Sequence, residues 1–185
     1  MGRDKAMLEL AGTPLLTRTA ALLEPLVAQI MLVGDPQQFG KFGYAVVEDR
    51  WPDAGPLGAI ATALAAASEP WSFILACDLP YLTGDWLVWL LGRATKTAQS
   101  KPVDIFIPET AHGLEPLCAV YRSACASTLG AALDRGVRKV SDSFAGLIVE
   151  CIAESEWRKF SSDGKLFRNM NTPEDYQEAL MHFGR

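Results

Sequence analysis

The stretch from Trp71 to Pro80, WSFILACDLP, constrains the fold more than any other, because an unbroken apolar run ends abruptly in an acid. Phe73, Ile74, Leu75 and Ala76 show no polar alternation, which suits a strand covered on both faces in a mainly parallel sheet. A short buried helix would read the same way, but the length of the run and Pro80 favour the strand. Open α/β sheets bind ligands beyond the carboxyl ends of their strands, so Asp78 is placed to hold a metal or a phosphate-bearing substrate. Taken alone, a C-D-x-P sequence more often caps a turn, and the remaining chain has to decide between the two.

With 185 residues and 49% hydrophobic content, the chain can form one domain that buries about 70% of its unfolded surface. Cys77, Cys118, Cys125 and Cys151 have no C-x-x-C spacing and there are only two histidines, so neither a zinc site nor a redox dithiol is indicated. Reduced thiols in the cytoplasm fit this usage. The net charge of −5 and the lack of a basic run argue against a nucleic-acid partner. The longest apolar stretches, near Ala59 to Ala67 and Trp86 to Leu91, fall short of the roughly 20 residues a membrane span needs, so a soluble protein without a membrane partner is expected. The sequence lacks G-x-G-x-x-G after a strand, G-x-x-x-x-G-K-S/T and G-x-S-x-G, which weighs against dinucleotide dehydrogenases, P-loop kinases and α/β-hydrolases.

In chain order, Ala6 to Leu10 reads as a short extended piece, and Thr13 with Pro14 as the start of a helix that runs to about Glu24. Gln29 to Val33 and Tyr44 to Glu48 read as strands. An alanine-rich helix begins near Pro56, after Asp49 at a strand's carboxyl end and a loop in which Gly55 and Gly58 allow close backbone approach. The amino end of that helix is an available anion site, although such a loop is more often a plain turn. Beyond the Trp71 strand come a helix capped by Thr83, strands at Val103 to Ile107 and Leu117 to Tyr121, a helix from Ser123 to Arg135, and a strand at Ile148 to Ile152. Thr172, Pro173 and Asp175 cap a last helix, and Asn169 and Asn171 alternate on an extended segment, so they face the same way. The order implies an α/β protein: a three-layer α/β/α sandwich around a Rossmann-like, mostly parallel sheet, as a single domain over residues 1–185.

Six short motifs occur in order: Met1-Gly2-Arg3-Asp4-Lys5, Gly12-Thr13-Pro14-Leu15, Gly55-Pro56-Leu57-Gly58, Cys77-Asp78-Leu79-Pro80, Glu115-Pro116-Leu117, and Asn169 to Asp175. Together they make the chain resemble, over essentially its whole length, the nucleotidyltransferases of the molybdenum cofactor guanylyltransferase type. The resemblance implies the nucleotide-diphospho-sugar transferase fold and Mg2+-dependent transfer of GMP from GTP to molybdopterin, with release of pyrophosphate. It also implies molybdoenzymes or their chaperones as recipients of the product. By resemblance Lys5 contacts nucleotide phosphates, Asp49 and the Gly55-Pro56-Leu57 loop lie on the nucleotide side, and Asp78 binds Mg2+. Glu115, Asn169 and Asn171 then lie on the pterin side.

Two departures accompany the resemblance. Gly34 and Asp35 stand where relatives often carry an asparagine, which leaves open a cytidylyltransferase acting on the same pterin, or a sugar-phosphate nucleotidyltransferase. The family's opening strand and glycine-rich loop, with the pattern L-A-G-G-x-S-x-R, have no counterpart, which also leaves open a non-catalytic nucleotide- or cofactor-binding module. The expectation is that Met1 is internal to a longer parent, whose missing strand would be central in the sheet. Without it two inner strands would have unpaired edges, and the 185-residue form would be unstable and transfer little.

Overall fold

The computed structural model of the chain describes residues 5–97 and 101–184. A 3-10 turn, Lys5–Met7, leads into an antiparallel hairpin of β1 (Glu9–Leu10) and β2 (Thr13–Pro14). Helix α1 (Leu15–Leu23) follows at once, with Pro14 at its cap position and no side-chain cap. Thr13 was the expected cap; it is instead held in the hairpin opposite Leu10. Strand β3 (Met31–Val33), the short helix α2 (Pro36–Phe39) and β4 (Ala45–Val47) come next, with β3 and β4 paired in parallel. Helix α3 (Pro56–Ala66) starts at its proline, whose missing N–H costs nothing in a first turn. Strand β5 (Trp71–Leu75) precedes α4 (Gly84–Thr97), where Thr83 accepts the Trp86 N–H at 3.4 Å as a cap. The remaining elements are β6 (Ile105–Thr110), β7 (Gly113–Leu114), β8 (Cys118–Arg122), α5 (Cys125–Asp134), β9 (Val149–Ile152), α6 (Glu154–Trp157) and α7 (Pro173–Phe183).

The two-residue period of β6 and β8 sorts their side chains between two helical layers. Ile105, Ile107, Ala119 and Tyr121 pack with Leu57, Ile60 and Leu64 of α3 and Leu129 and Leu133 of α5. Phe106, Cys118 and Val120 turn the other way, onto Trp86, Leu87 and Leu90 of α4 and onto Trp157 and Phe167. Each fully buried Leu, Ile or Phe contributes about 2 kcal/mol, so these two cores hold the sandwich together. The α/β class and the three layers are as the sequence implies. Strands β5, β6 and β9 run in one direction, and the reversed strand β8 is inserted between β5 and β6. Among the described residues no helix is long and apolar enough to cross a membrane.

Strand β5 departs from expectation in its burial. Its sequence predicts cover on both faces, yet all five residues are half-buried, whereas β8 is buried at four of five positions. The cause is the neighbour on one edge. Among the described residues β5 pairs with β8 alone and β3 with β4 alone, and a cavity of about 530 Å³ lies between the facing edges of β3 and β5.

The turn into α3 depends on a close approach. A Cβ on Gly58 would lie 2.5 Å from the Trp51 carbonyl oxygen and 3.0 Å from the Trp51 Cβ. Gly58→Ala should therefore destabilise the protein by about 2 kcal/mol, as overpacking against backbone does, and urea unfolding of the variant checks this. Gly55, at φ 62° and ψ −148°, occupies backbone space closed to other residues, which fixes it as the residue before Pro56.

Candidate active site

The carboxyl end of β5 is pinned on two sides. Ala76 N–H donates to the Leu117 carbonyl at 2.8 Å, and Met170 N–H donates to the Asp78 carbonyl at 2.9 Å. The Asp78 side chain thereby projects where strand ends present ligand-binding groups. Lys5 Nζ donates to Asp78 Oδ2 at 3.0 Å and also to Asn171 Oδ1. Three residues from distant parts of the chain, all expected at the site, thus meet in one cluster. The Lys5 and Asp78 side chains are 34% and 19% exposed, and an ion pair so open to water adds under about 1 kcal/mol to stability. Stability alone does not account for a convergence of this kind.

Local structure explains how Asn171 reaches Lys5. Met170 is buried with Leu10, Leu15 and Ala179 in a small core, while Asn169 and Asn171 are exposed on either side of it, as alternation requires. Thr172 and Asp175 form a reciprocal capping box at the start of α7. Asp175 Oδ2 accepts from Asn171 N–H at 3.1 Å, from Thr172 N–H at 2.9 Å and from the Thr172 hydroxyl at 2.9 Å. These hydrogen bonds, the Thr172 backbone first among them, pull the Asp175 carboxyl down to about 2. Folding lowers this pKa below the ordinary 3.8, so its stabilising contribution is full above pH 3.8 and disappears as the pH falls through about 2. Asp175→Asn should lower the urea midpoint at neutral pH, by an amount that shrinks as the pH falls from 3.8 and is lost below about pH 2.

The other expected residues occupy two further places. Asp49 Oδ1 accepts from the Trp51 N–H at 2.9 Å and from the Thr62 hydroxyl at 3.0 Å, and Thr62 in turn accepts the Arg50 N–H at 3.0 Å. Asp49 thus ties the Trp51 loop to α3. Thr62 was not foreseen, although one hydroxyl among the alanines of a buried helix face is a readable sign of a polar partner. The Leu57 side chain is fully buried, so only its backbone is available to a ligand, and Gly55 and Pro56 lead into the same first turn. Glu115 lies two residues before the carbonyl that pins Ala76, and it accepts the Thr110 hydroxyl at 3.1 Å. Burial pushes its carboxyl above the ordinary range. Asp35 caps α2 by accepting the Gln37 N–H at 2.8 Å. Residues Met1 to Asp4 of the first motif lie outside the described residues. No group of three or more His, Cys, Asp or Glu side chains that could hold a metal occurs among the described residues, and Asp78 is the acid that pairs with Lys5.

Residues 1–147 match the model of the MobA-like NTP transferase domain. The chain belongs to this family. A probable molybdenum cofactor guanylyltransferase of Pelotomaculum thermopropionicum is 29% identical to this MobA-like chain over 180 residues, 97% of the chain and 85% of the relative. The crystal structure of molybdopterin-guanine dinucleotide biosynthesis protein A from Archaeoglobus fulgidus is 26% identical and superposes with a TM-score of 0.82, over 98% of this chain and 91% of that one. The 2-C-methyl-D-erythritol 4-phosphate cytidylyltransferase of Thermus thermophilus, 15% identical, has the same fold with a TM-score of 0.70, over 96% of this chain and 93% of that one. The NTP-transferase scaffold is therefore common to enzymes that use different nucleotides, and the MobA-like chain carries its Lys5, Asp78 and Asn171 cluster at a strand end of that scaffold.

Proposed function

We propose that this chain transfers GMP from GTP to the molybdenum cofactor in the cytoplasm, releasing pyrophosphate and leaving a guanine dinucleotide form of the cofactor for molybdoenzymes or their chaperones. The observation that carries this reading is the meeting of Lys5, Asp78 and Asn171 at the carboxyl end of β5. Nearly full-length relatives named molybdenum cofactor guanylyltransferase support the choice of substrates.

The terminal phosphate of molybdopterin attacks the α-phosphorus of GTP. A new phosphorus–oxygen bond forms, the bond to the bridging α,β-oxygen breaks, and pyrophosphate leaves with that electron pair. Two anions must approach, so the site has to align them and offset charge; no covalent protein intermediate is needed. Lys5 places a positive charge where negative charge accumulates on the leaving group. Asn171 orients Lys5 by accepting its hydrogen bond, and Asn169 on the same exposed edge offers an amide to the pterin side. Asp78 fits Mg2+, which commonly takes one carboxylate together with substrate phosphates. Bound there, the ion would supply charge neutralisation at the phosphates. The amino-terminal turn of α3, opened by Gly55 and Pro56, offers backbone N–H groups to the nucleotide.

Changing both Asn169 and Asn171 to alanine should raise KM for molybdopterin about tenfold and move KM for GTP by less than about twofold, since tenfold is about 1.4 kcal/mol, the scale of one to two lost hydrogen bonds. Steady-state kinetics with each substrate varied in turn checks it. An equal loss for both substrates would remove these residues from the pterin side. Mass analysis of the product tests the reading as a whole: a guanine dinucleotide of the pterin is expected from GTP, and a cytosine dinucleotide formed in preference from CTP would contradict it.

A further inference from the structure

The segment before α7 is held by more than a helix cap requires. In the capping box the Asp175 carboxylate has to take only the Thr172 N–H, while the Thr172 hydroxyl takes the Asp175 N–H in return. Asp175 Oδ2 also takes the N–H of Asn171, one residue ahead of the cap, at 3.1 Å. Asp175 Oδ1 faces Arg168, whose Nη2 lies 3.3 Å away. The Arg168 fork grips both carboxylate oxygens of Glu178, one turn further along α7, at 2.8 Å and 2.7 Å. Arg168 is thereby tied to two successive turns of α7, and Met170 N–H on the Asp78 carbonyl ties the same segment to the loop after β5. Between these anchors sits Asn171, with its backbone N–H on Asp175 and its Oδ1 on Lys5 Nζ, which in turn donates to Asp78. Hydrogen bonds thus run unbroken from Arg168 through Asp175, Asn171 and Lys5 to Asp78. The Arg168 and Asp175 side chains are 42% and 21% exposed, and an ion pair in such contact with water adds little to stability. A planar guanidinium fork at that place fixes direction instead.

We propose that Asp175 and Arg168 are positioning residues of the transfer site: Asp175 fixes the backbone of Asn171, Arg168 fixes Asp175, and Asn171 so held keeps the Lys5 ammonium aimed beside Asp78. Neither residue touches a reacting atom. The need for such a device lies in Lys5, a partly exposed cation on a flexible stem, which a single carboxylate would leave free to swing. A second acceptor restricts it only if that acceptor is itself held, and Asn171 is an exposed residue without a packed side chain. Alignment matters here because a misplacement of about 1 Å can slow a reaction up to about a hundredfold. The inference rests on the reading of the Lys5, Asp78 and Asn171 cluster as the transfer site.

Asp175→Glu separates direction from capping, because glutamate at this position also closes a capping box, with its carboxylate displaced by one methylene. The thermal midpoint should stay close to the parental value, while kcat/KM for molybdopterin falls about fivefold and KM for GTP moves by less than about twofold. Arg168→Gln should lower kcat/KM for molybdopterin about threefold. Gln177→Gly, at an exposed position of α7, weakens the helix without touching these hydrogen bonds, so it should lower the midpoint and leave transfer at the parental rate. In an Asn171→Ala background Asp175→Glu should cost less than about 1.5-fold, because a residue that acts through Asn171 has nothing left to position. Parental transfer in Asp175→Glu, or equal losses in the two backgrounds, would overturn the proposal. A readout that needs no catalysis is the rate of reductive methylation of Lys5 Nζ by formaldehyde and cyanoborohydride, followed by mass spectrometry. Both Asp175→Glu and Arg168→Gln should raise that rate severalfold by loosening Lys5 from its two acceptors. An unchanged rate would overturn the positioning role. A raised rate in a chain whose parent transfers no GMP would uphold the positioning of Lys5 and contradict the proposed function alone.

Discussion

Replacing Asp78 by asparagine will lower the rate of guanylyl transfer about a thousandfold and leave the thermal midpoint unchanged. Asparagine keeps the shape of the side chain and the carbonyl that accepts Met170 N–H, so the loop beyond β5 retains its anchor. The variant loses the carboxylate charge that Lys5 pairs with, and a divalent ion held against the phosphates at Asp78 would lose its charged ligand. Because the pair is exposed to water, its loss costs the fold little. Transfer and melting should therefore separate cleanly, and parental turnover in the variant would rule out a metal role for Asp78.

Changing Lys5 to alanine should reduce kcat about a hundredfold with a smaller effect on KM for GTP, as expected if its charge acts on the leaving pyrophosphate. Lys5→Arg should recover only part of the loss. A guanidinium is a planar fork, whereas the ammonium here reaches Asp78 and Asn171 from a single atom. Full activity in Lys5→Ala would leave the cluster without a catalytic reading.

The sequence was most legible where one local signal controls the outcome. The end of an apolar run located Asp78, a proline located the start of α3, and alternation placed Asn169 and Asn171 on one exposed face with Met170 buried between them. Signals that compete were harder to read. Thr13 suits a helix cap, but the turn at Ala11 and Gly12, both at positive φ, draws it into a hairpin. The reversed direction of β8 has no local mark, because an apolar strand reads alike in either sense. Thr62 shows the same limit, since its value lies in a bond to Asp49 thirteen residues away. The half-burial of β5 lies furthest from its own sequence: its residues are those of a covered strand, and their exposure depends on what occupies the next place in the sheet.

Pyrophosphate release by this chain with molybdopterin, Mg2+ and each nucleoside triphosphate in turn tests the transfer reaction most directly. Release should require the pterin, be supported by GTP in preference to CTP, ATP and UTP, and disappear in Asp78→Asn. Release that favours CTP, that proceeds without the pterin, or that is absent with GTP would contradict a guanylyl transfer centred on Asp78.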